Sequence, residues 1–202
     1  MTLLPYALVI CAYLMGSISA GILVCKFLGL PDPRTKASKN PGATNVLRYG
    51  GKKAAILTLL GDSLKGLIPI LIAHYLALDF EWLILVAIAA FLGHLFSVFY
   101  GFKGGKGVAT AIGIYLGLNP IIGLAVIATW LASAFAFNMS SVAALIASSV
   151  APFYFYYTTR SLPILLGLLF ITALIYWKHH GNIKRIISGT ESKISKKASK
   201  ES

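Results

Sequence analysis

Seven apolar stretches, at 3–30, 54–78, 82–100, 107–118, 121–137, 139–157 and 162–177, leave this chain little polar surface on which to fold in water. Charge, Gly or Pro interrupts each from the next. A helix of about 20 residues crosses a ~30 Å hydrocarbon core, and only helices or closed barrels satisfy their own backbone there. The pattern therefore predicts an all-α integral membrane protein with about seven transmembrane helices. One is short: 107–118 covers only about 18 Å at 1.5 Å per residue, so it is expected to be tilted, partial or shielded by neighbours. The first run lacks a basic start and continues to Leu30, which reads as a membrane helix rather than a cleaved leader. A mean hydropathy of +0.80 excludes a soluble globule. With no repeat, linker or second domain in view, residues 1–187 are expected to form a single transmembrane domain. Residues 188–202 form a basic tail whose distal Ser- and Lys-rich part is expected to be disordered.

Eighteen Lys and Arg face six Asp and Glu, a formal charge of +12, so the polar remainder must meet something anionic. Lipid headgroups and a phosphorylated substrate fit. Nucleic acid is not expected, because a chain spending most of its length in hydrocarbon has little freedom to present a groove-reading element. Placing the N-terminus outside and the C-terminus in the cytoplasm leaves only Arg160 of the eighteen basic residues outside. Cys11 and Cys25 fall on one predicted helix, about 21 Å apart, too far for a disulfide, and both read as small buried hydrophobes.

Three polar segments share the predicted cytoplasmic face. The first, RTKASKNPGATNVLR at 34–48, orders small, hydroxyl and amide residues into a turn able to surround an oxyanion, with Arg48 offering a bidentate phosphate contact. A solvated basic loop is the competing reading. The second, GHLFSVFYGFKGGKGVAT at 93–110, places Gly101, Gly104, Gly105 and Gly107 around Lys103 and Lys106 just before a helix, where backbone N–H groups and the helix start favour an anion. It is not a Walker A loop, since three residues separate Gly101 from Gly105 and Gly107 follows Lys106. The third, KHHGNIKRIISGTESK at 178–193, brings two histidines and an amide to the membrane boundary, able to supply a base, an orienting hydrogen bond or a phosphate contact. Within the apolar runs, Asp62 and Lys65 at i, i+3 are expected to neutralise each other. Gly113 and Gly117 suit close helix packing, and His94 a packing or hydrogen-bonding role. Ser141 reads either as a donor to substrate or as bonded to its own backbone.

Together, Gly16-Ser17-Ile18 leading into SKNPGATNVLR at 38–48, GHLFSVFYGFKGGKGVAT at 93–110, HHGNI at 179–183 and GTESK at 189–193 resemble the bacterial acyl-phosphate-dependent glycerol-3-phosphate acyltransferase family. The resemblance covers nearly the whole chain. Two departures stand out: Ala37-Ser38-Lys39-Asn40 where the family usually has Gly-Ser-Gly-Asn, and Ser97 where Pro is common. The resemblance implies a bacterial inner-membrane enzyme of phospholipid synthesis, its site facing the cytoplasm. Such an enzyme moves a fatty acyl group from acyl phosphate to the 1-hydroxyl of sn-glycerol 3-phosphate. Its partners would be those two substrates and membrane lipid, and it is expected to act as a monomer without metal or cofactor.

The expected catalytic set is His179, Asn182 and Lys106. Ser38, Asn40, Gly42, Thr44, Asn45, Arg48, Gly104, Gly105, Lys106, Gly107 and Ser141 are expected to bind substrate phosphate. His179 would deprotonate the glycerol hydroxyl, or hold a phosphate while a substrate oxygen takes the proton. The short run 107–118 is expected to leave room for an acyl slot beside the glycine loop, with Gly113 bordering it. No G-x-S-x-G elbow is present and neither Cys lies in a polar segment, so direct transfer without an acyl-enzyme is expected. The rival readings are a small transporter for a phosphorylated metabolite, which would favour an internal repeat, and a phosphatidyl transferase, whose metal-binding acidic motif six scattered acids cannot supply.

Overall fold

A computed structural model describes residues 3–194, and every regular element among them is helical. In chain order these are α1 (Leu4–Ser17), α2 (Ala20–Phe27), α3 (Ala43–Tyr75), α4 (Phe80–Leu95), α5 (Val108–Leu118), α6 (Pro120–Phe137), α7 (Ser140–Thr159), α8 (Leu162–Lys178) and α9 (His180–Ile187). Among the described residues, Ala43–Tyr75, Phe80–Tyr100 and Pro120–Phe137 are each long and apolar enough to cross a membrane. Two bent pairs, α1 with α2 and α8 with α9, bring the number to five if each counts as one span. The distal tail, 195–202, lies outside the described residues.

The first apolar run is not one helix. It breaks at Ile18 and Ser19, which are extended, and α2 leaves α1 at 44°. Irregular backbone at this depth persists only where its polar groups find partners, and here the Asp62–Lys65 pair supplies two of them. Lys65 Nζ sits 2.8 Å from Asp62 Oδ1 and donates to the Ile18 carbonyl at 2.6 Å, while the Ala20 N–H donates to Asp62 Oδ1 at 3.3 Å. Ser97 Oγ donates to the Ser17 carbonyl. The expected ion pair is thus present, and it plugs a helix break. Because of that break, the two cysteines stand on different helices. Cys25 is buried with Sγ 3.4 Å from the Tyr49 hydroxyl, but Cys11 is exposed, contrary to the expectation that both are buried; it faces outward from the bundle.

Helix α3 starts at Ala43, well ahead of the apolar run at 54, and Gly51 (φ 80°, ψ 177°) divides it into a first part, 43–50, and an apolar part, 52–75. The left-handed φ requires glycine there. Asn119 caps α6, its Oδ1 accepting from the Ile121 and Ile122 N–H groups, with Pro120 at the first helical position. Helix α1 packs on α4, α3 on α5, α6 on α7 and α7 on α8. The main core gathers Phe91, Ile114, Phe155, Leu168 and Ile171. The α3–α5 seam is close. A Cβ on Gly113 would overlap the Ser63 carbonyl oxygen and one on Gly66 the Thr110 carbonyl oxygen, so each helix offers the other a glycine.

Candidate active site

The loop ahead of α3 is tied down by one side chain. Buried Asn45 accepts from the Ser38 N–H at 3.0 Å and donates through Nδ2 to the carbonyls of Pro33 and Lys36 at 2.9 and 3.1 Å. Its amide is thereby committed to shaping the loop. Ala37 and Lys39 adopt left-handed φ of 45° and 58°, so the loop keeps a glycine-favouring path without glycine. Gly42 precedes α3 without a side-chain cap, which leaves first-turn N–H groups of the helix beside Thr44 and Arg48.

In the glycine segment, Gly104 and Gly105 turn their N–H groups toward α4. Their N–H groups donate to the carbonyls of Leu95 and His94, both at 3.2 Å, closing the C-terminal end of α4. A Cβ at Gly105 would strike the His94 ring. These two glycines serve close backbone approach, and only Gly107, with φ 84°, reaches the cavity. Lys106 is partly buried and donates to Asn182 Oδ1. Burial pushes its ammonium down to about 8; the Glu191 carboxylate opposes that shift, and Arg185 and Arg48 add to it.

Beyond α8 the chain turns by 61° into α9. His179, at the bend, is buried with Nδ1 2.8 Å from the Ile175 carbonyl. A carbonyl only accepts, so Nδ1 carries the proton and, in the neutral ring, Nε2 is left as an acceptor. Asn182 Nδ2 donates to Glu191 Oε1 at 2.6 Å, Ser141 Oγ donates to the same oxygen at 2.7 Å, and Arg185 Nε donates to Oε2 at 2.7 Å. Burial pushes the Glu191 carboxyl up, but these three donors and the Arg185 charge outweigh it and hold the group below its ordinary range. The Ile194 N–H donates to the Asn138 carbonyl at 2.8 Å, so the segment after α9 crosses back to the α6–α7 turn.

Most of these side chains meet in one cavity of about 1030 Å³. Ser38, Asn40, Gly42, Thr44, Asn45, Arg48, Lys106, Gly107, Ser141, His179 and Asn182 line its polar end; Gly104 and Gly105 do not. Its other end is apolar, walled by Ile56, Leu59 and Leu60 of α3, Val108, Ile112 and Leu116 of α5, and Ile127, Trp130 and Leu131 of α6. Gly113 faces the α3 backbone and is not part of this wall, which α5 builds from Val108, Ile112 and Leu116.

The family model for glycerol-3-phosphate acyltransferase matches residues 6–189. The chain belongs to the glycerol-3-phosphate acyltransferase family. It is 54% identical over 200 residues to the glycerol-3-phosphate acyltransferase of Thioalkalivibrio sulfidiphilus, covering 99% of this chain and 98% of that one. It is 50% identical over 186 residues to that of Methylococcus capsulatus, covering 92% and 94%. Two crystal structures of PlsY, an integral membrane glycerol 3-phosphate acyltransferase, superpose on it over 94% of each chain. The glycerol 3-phosphate form has a TM-score of 0.89 at 38% identity, and the lysophosphatidic acid form 0.88 at 37%. This chain is accordingly a membrane-embedded acyltransferase.

Within this glycerol-3-phosphate acyltransferase site, sequence reasoning missed Arg185 as a cavity residue and left the part played by Glu191 open. Their signal was present but weak: a basic and an acidic residue six apart in a segment read chiefly for its histidines and asparagine. His94 and Asp62 also border the cavity, with His94 Nδ1 3.8 Å from Asp62 Oδ1.

Proposed function

We propose that the chain transfers a fatty acyl group from acyl phosphate to the 1-hydroxyl of sn-glycerol 3-phosphate, releasing 1-acyl-sn-glycerol 3-phosphate and phosphate. The observation that carries this reading is the cavity itself, polar and basic at one end and apolar at the other, with Arg48, Lys106 and His179 at the junction. A phosphate-bearing acceptor and a donor with both phosphate and acyl chain suit such a space. The solved relative takes glycerol 3-phosphate and lysophosphatidic acid.

In this reading Arg48 and Lys106 hold phosphate, aided by the first-turn N–H groups of α3. His179 Nε2 accepts the proton of the attacking hydroxyl as its oxygen bonds to the acyl carbonyl carbon. The tetrahedral adduct then collapses, the carbonyl–phosphate bond breaks, and the proton passes from the imidazolium to the departing phosphate. Phosphate is a good leaving group, so positioning and charge stabilisation suffice without an acyl-enzyme. Asn182 and Ser141 line the cavity while both donate to Glu191, and Asn182 also accepts from Lys106, so in this reading they hold Lys106 in register.

The polar loops gather at one end of the bundle, which supports seven spans with the N-terminus outside and the site facing the cytoplasm of a bacterial inner membrane. Residues 1–187 would form the catalytic domain, active as a monomer, with 188–202 as a basic tail whose first residues close the site. The test is to give purified protein labelled glycerol 3-phosphate with acyl phosphate, acyl-CoA or acyl carrier protein thioester, separately. Lysophosphatidic acid from acyl phosphate alone is expected. Product from a thioester but none from acyl phosphate would overturn the donor assignment.

A further inference from the structure

The apolar end of the cavity has a defined depth, set by how α5 and α6 meet. The two helices are joined at Asn119-Pro120, and a Cβ on Gly123 would lie 2.7 Å from the Leu116 backbone nitrogen and 2.8 Å from its Cα. That glycine brings the helices into backbone contact at the end remote from Lys106. From there both helices run back toward the polar loops, and residues of both line the cavity together with α3. Along α5 the wall residues recur at Val108, Ile112 and Leu116, one face at i, i+4, i+8. Leu116 is the last, about 12 Å beyond Val108 at 1.5 Å per residue. Along α6 the wall runs through Leu131 and Trp130 to Ile127, one turn from Gly123. Both Leu116 and Ile127 are half-buried, and neither helix contributes a deeper wall residue.

We infer that Leu116 and Ile127 form the stop for the acyl chain, so the apex where α5 and α6 meet sets which chain length the enzyme prefers. The inference rests on the acyl transfer proposed above. A chain too short leaves the apex unfilled and loses burial, about fourfold per methylene for about 0.8 kcal/mol each. A chain too long must push Leu116 aside, which close packing resists, or turn out past the exposed side chains of Leu60 and Leu131 and give up the burial of its end.

The experiment is competition among saturated acyl phosphates differing by two methylenes, scored as relative kcat/KM with glycerol 3-phosphate saturating. Leu116→Ala is expected to move the optimum to longer chains, and Ile127→Phe to shorter ones, each by about two methylenes and hence about tenfold or more in the ratio of neighbouring chains. The KM for glycerol 3-phosphate should stay put in both. Leu124→Phe, on the exposed face of α6 away from the cavity, is the control and should leave the profile unchanged. An unaltered profile in folded Ile127→Phe, or the same shift in Leu124→Phe, would overturn the inference. If wild type uses a thioester instead of acyl phosphate, the donor assignment fails while the same comparison, run with that donor, still decides the stop. No product from any donor would sink both.

Discussion

Raising the pH should disarm the site through Lys106 before it affects the arginines. Burial has already brought the Lys106 ammonium down to about 8. By the definition of a pKa, about nine in ten copies are charged at pH 7 and about one in ten at pH 9. In the proposed function the charged form is the one that holds phosphate, so activity should be present below this pKa and lost above it. In the free enzyme, reported by kcat/KM, the alkaline limb should start near pH 8 and fall about tenfold per unit. Lys106→Arg keeps a charge at all accessible pH; its rate will be lower, but its alkaline limb should vanish. Glu191→Gln removes a carboxylate that raises the Lys106 pKa, so the limb should move below 8. Substrate ionisation is common to all three proteins and cancels in their ratios. The assay is initial-rate phosphate release from pH 6 to 10 in detergent at constant ionic strength. A wild-type profile flat to pH 10, or a limb that survives unchanged in Lys106→Arg, would refute the assignment.

Ala37→Gly and Lys39→Gly should each stabilise the protein by about 1 kcal/mol, because a left-handed non-glycine residue costs about 1–2 kcal/mol and glycine returns only part of that as chain entropy. Lys36→Gly, with no positive φ, should lower Tm instead, and a drop in all three would contradict the loop geometry. Asp62→Asn should destabilise by about 3–5 kcal/mol, since it strands a buried Lys65 charge. The double change to Leu at 62 and Met at 65 should recover only part of the loss, because the Ile18 carbonyl and Ala20 N–H lose their partners; full recovery in thermal unfolding would show that the break needs neither. His179→Ala should lower kcat by about 10²–10⁴ with little change in the KM for glycerol 3-phosphate. A raised KM with kcat and its pH profile intact would exclude the base.

Much of this arrangement could be read from residue order alone. The i, i+3 spacing of Asp62 and Lys65 predicts their pairing, and Asn119-Pro120 announces a helix start, because both depend on neighbours in sequence. The glycine loop reads as a place where backbone N–H groups approach an anion, and the contact with α4 is not foreseen. Gly104 and Gly105 spend their N–H groups on α4, a tertiary choice that local composition does not encode. Ile18 hides the first break inside an unbroken apolar run, since what permits the break is Lys65, Asp62 and Ser97, far along the chain. Ser97, a departure from the family's usual Pro, fills a role only the folded chain reveals. Gly113 packs on the α3 backbone while Val108, Ile112 and Leu116 of the same helix line the cavity, because a small residue signals contact without saying on which side space remains.

The carboxylate of Glu191 is the shared acceptor for groups on α7 and α9, and it lies beyond the last long apolar helix. During synthesis, therefore, every long helix leaves the ribosome before the bracket that aligns Asn182 and Lys106 can close. A nascent chain halted just short of residue 191 would carry a hydrocarbon slot and a basic mouth, yet lack the clasp between them. Catalytic competence would thus arrive as a late event in biogenesis, after insertion, and a half-made enzyme would have little capacity to consume activated acyl groups.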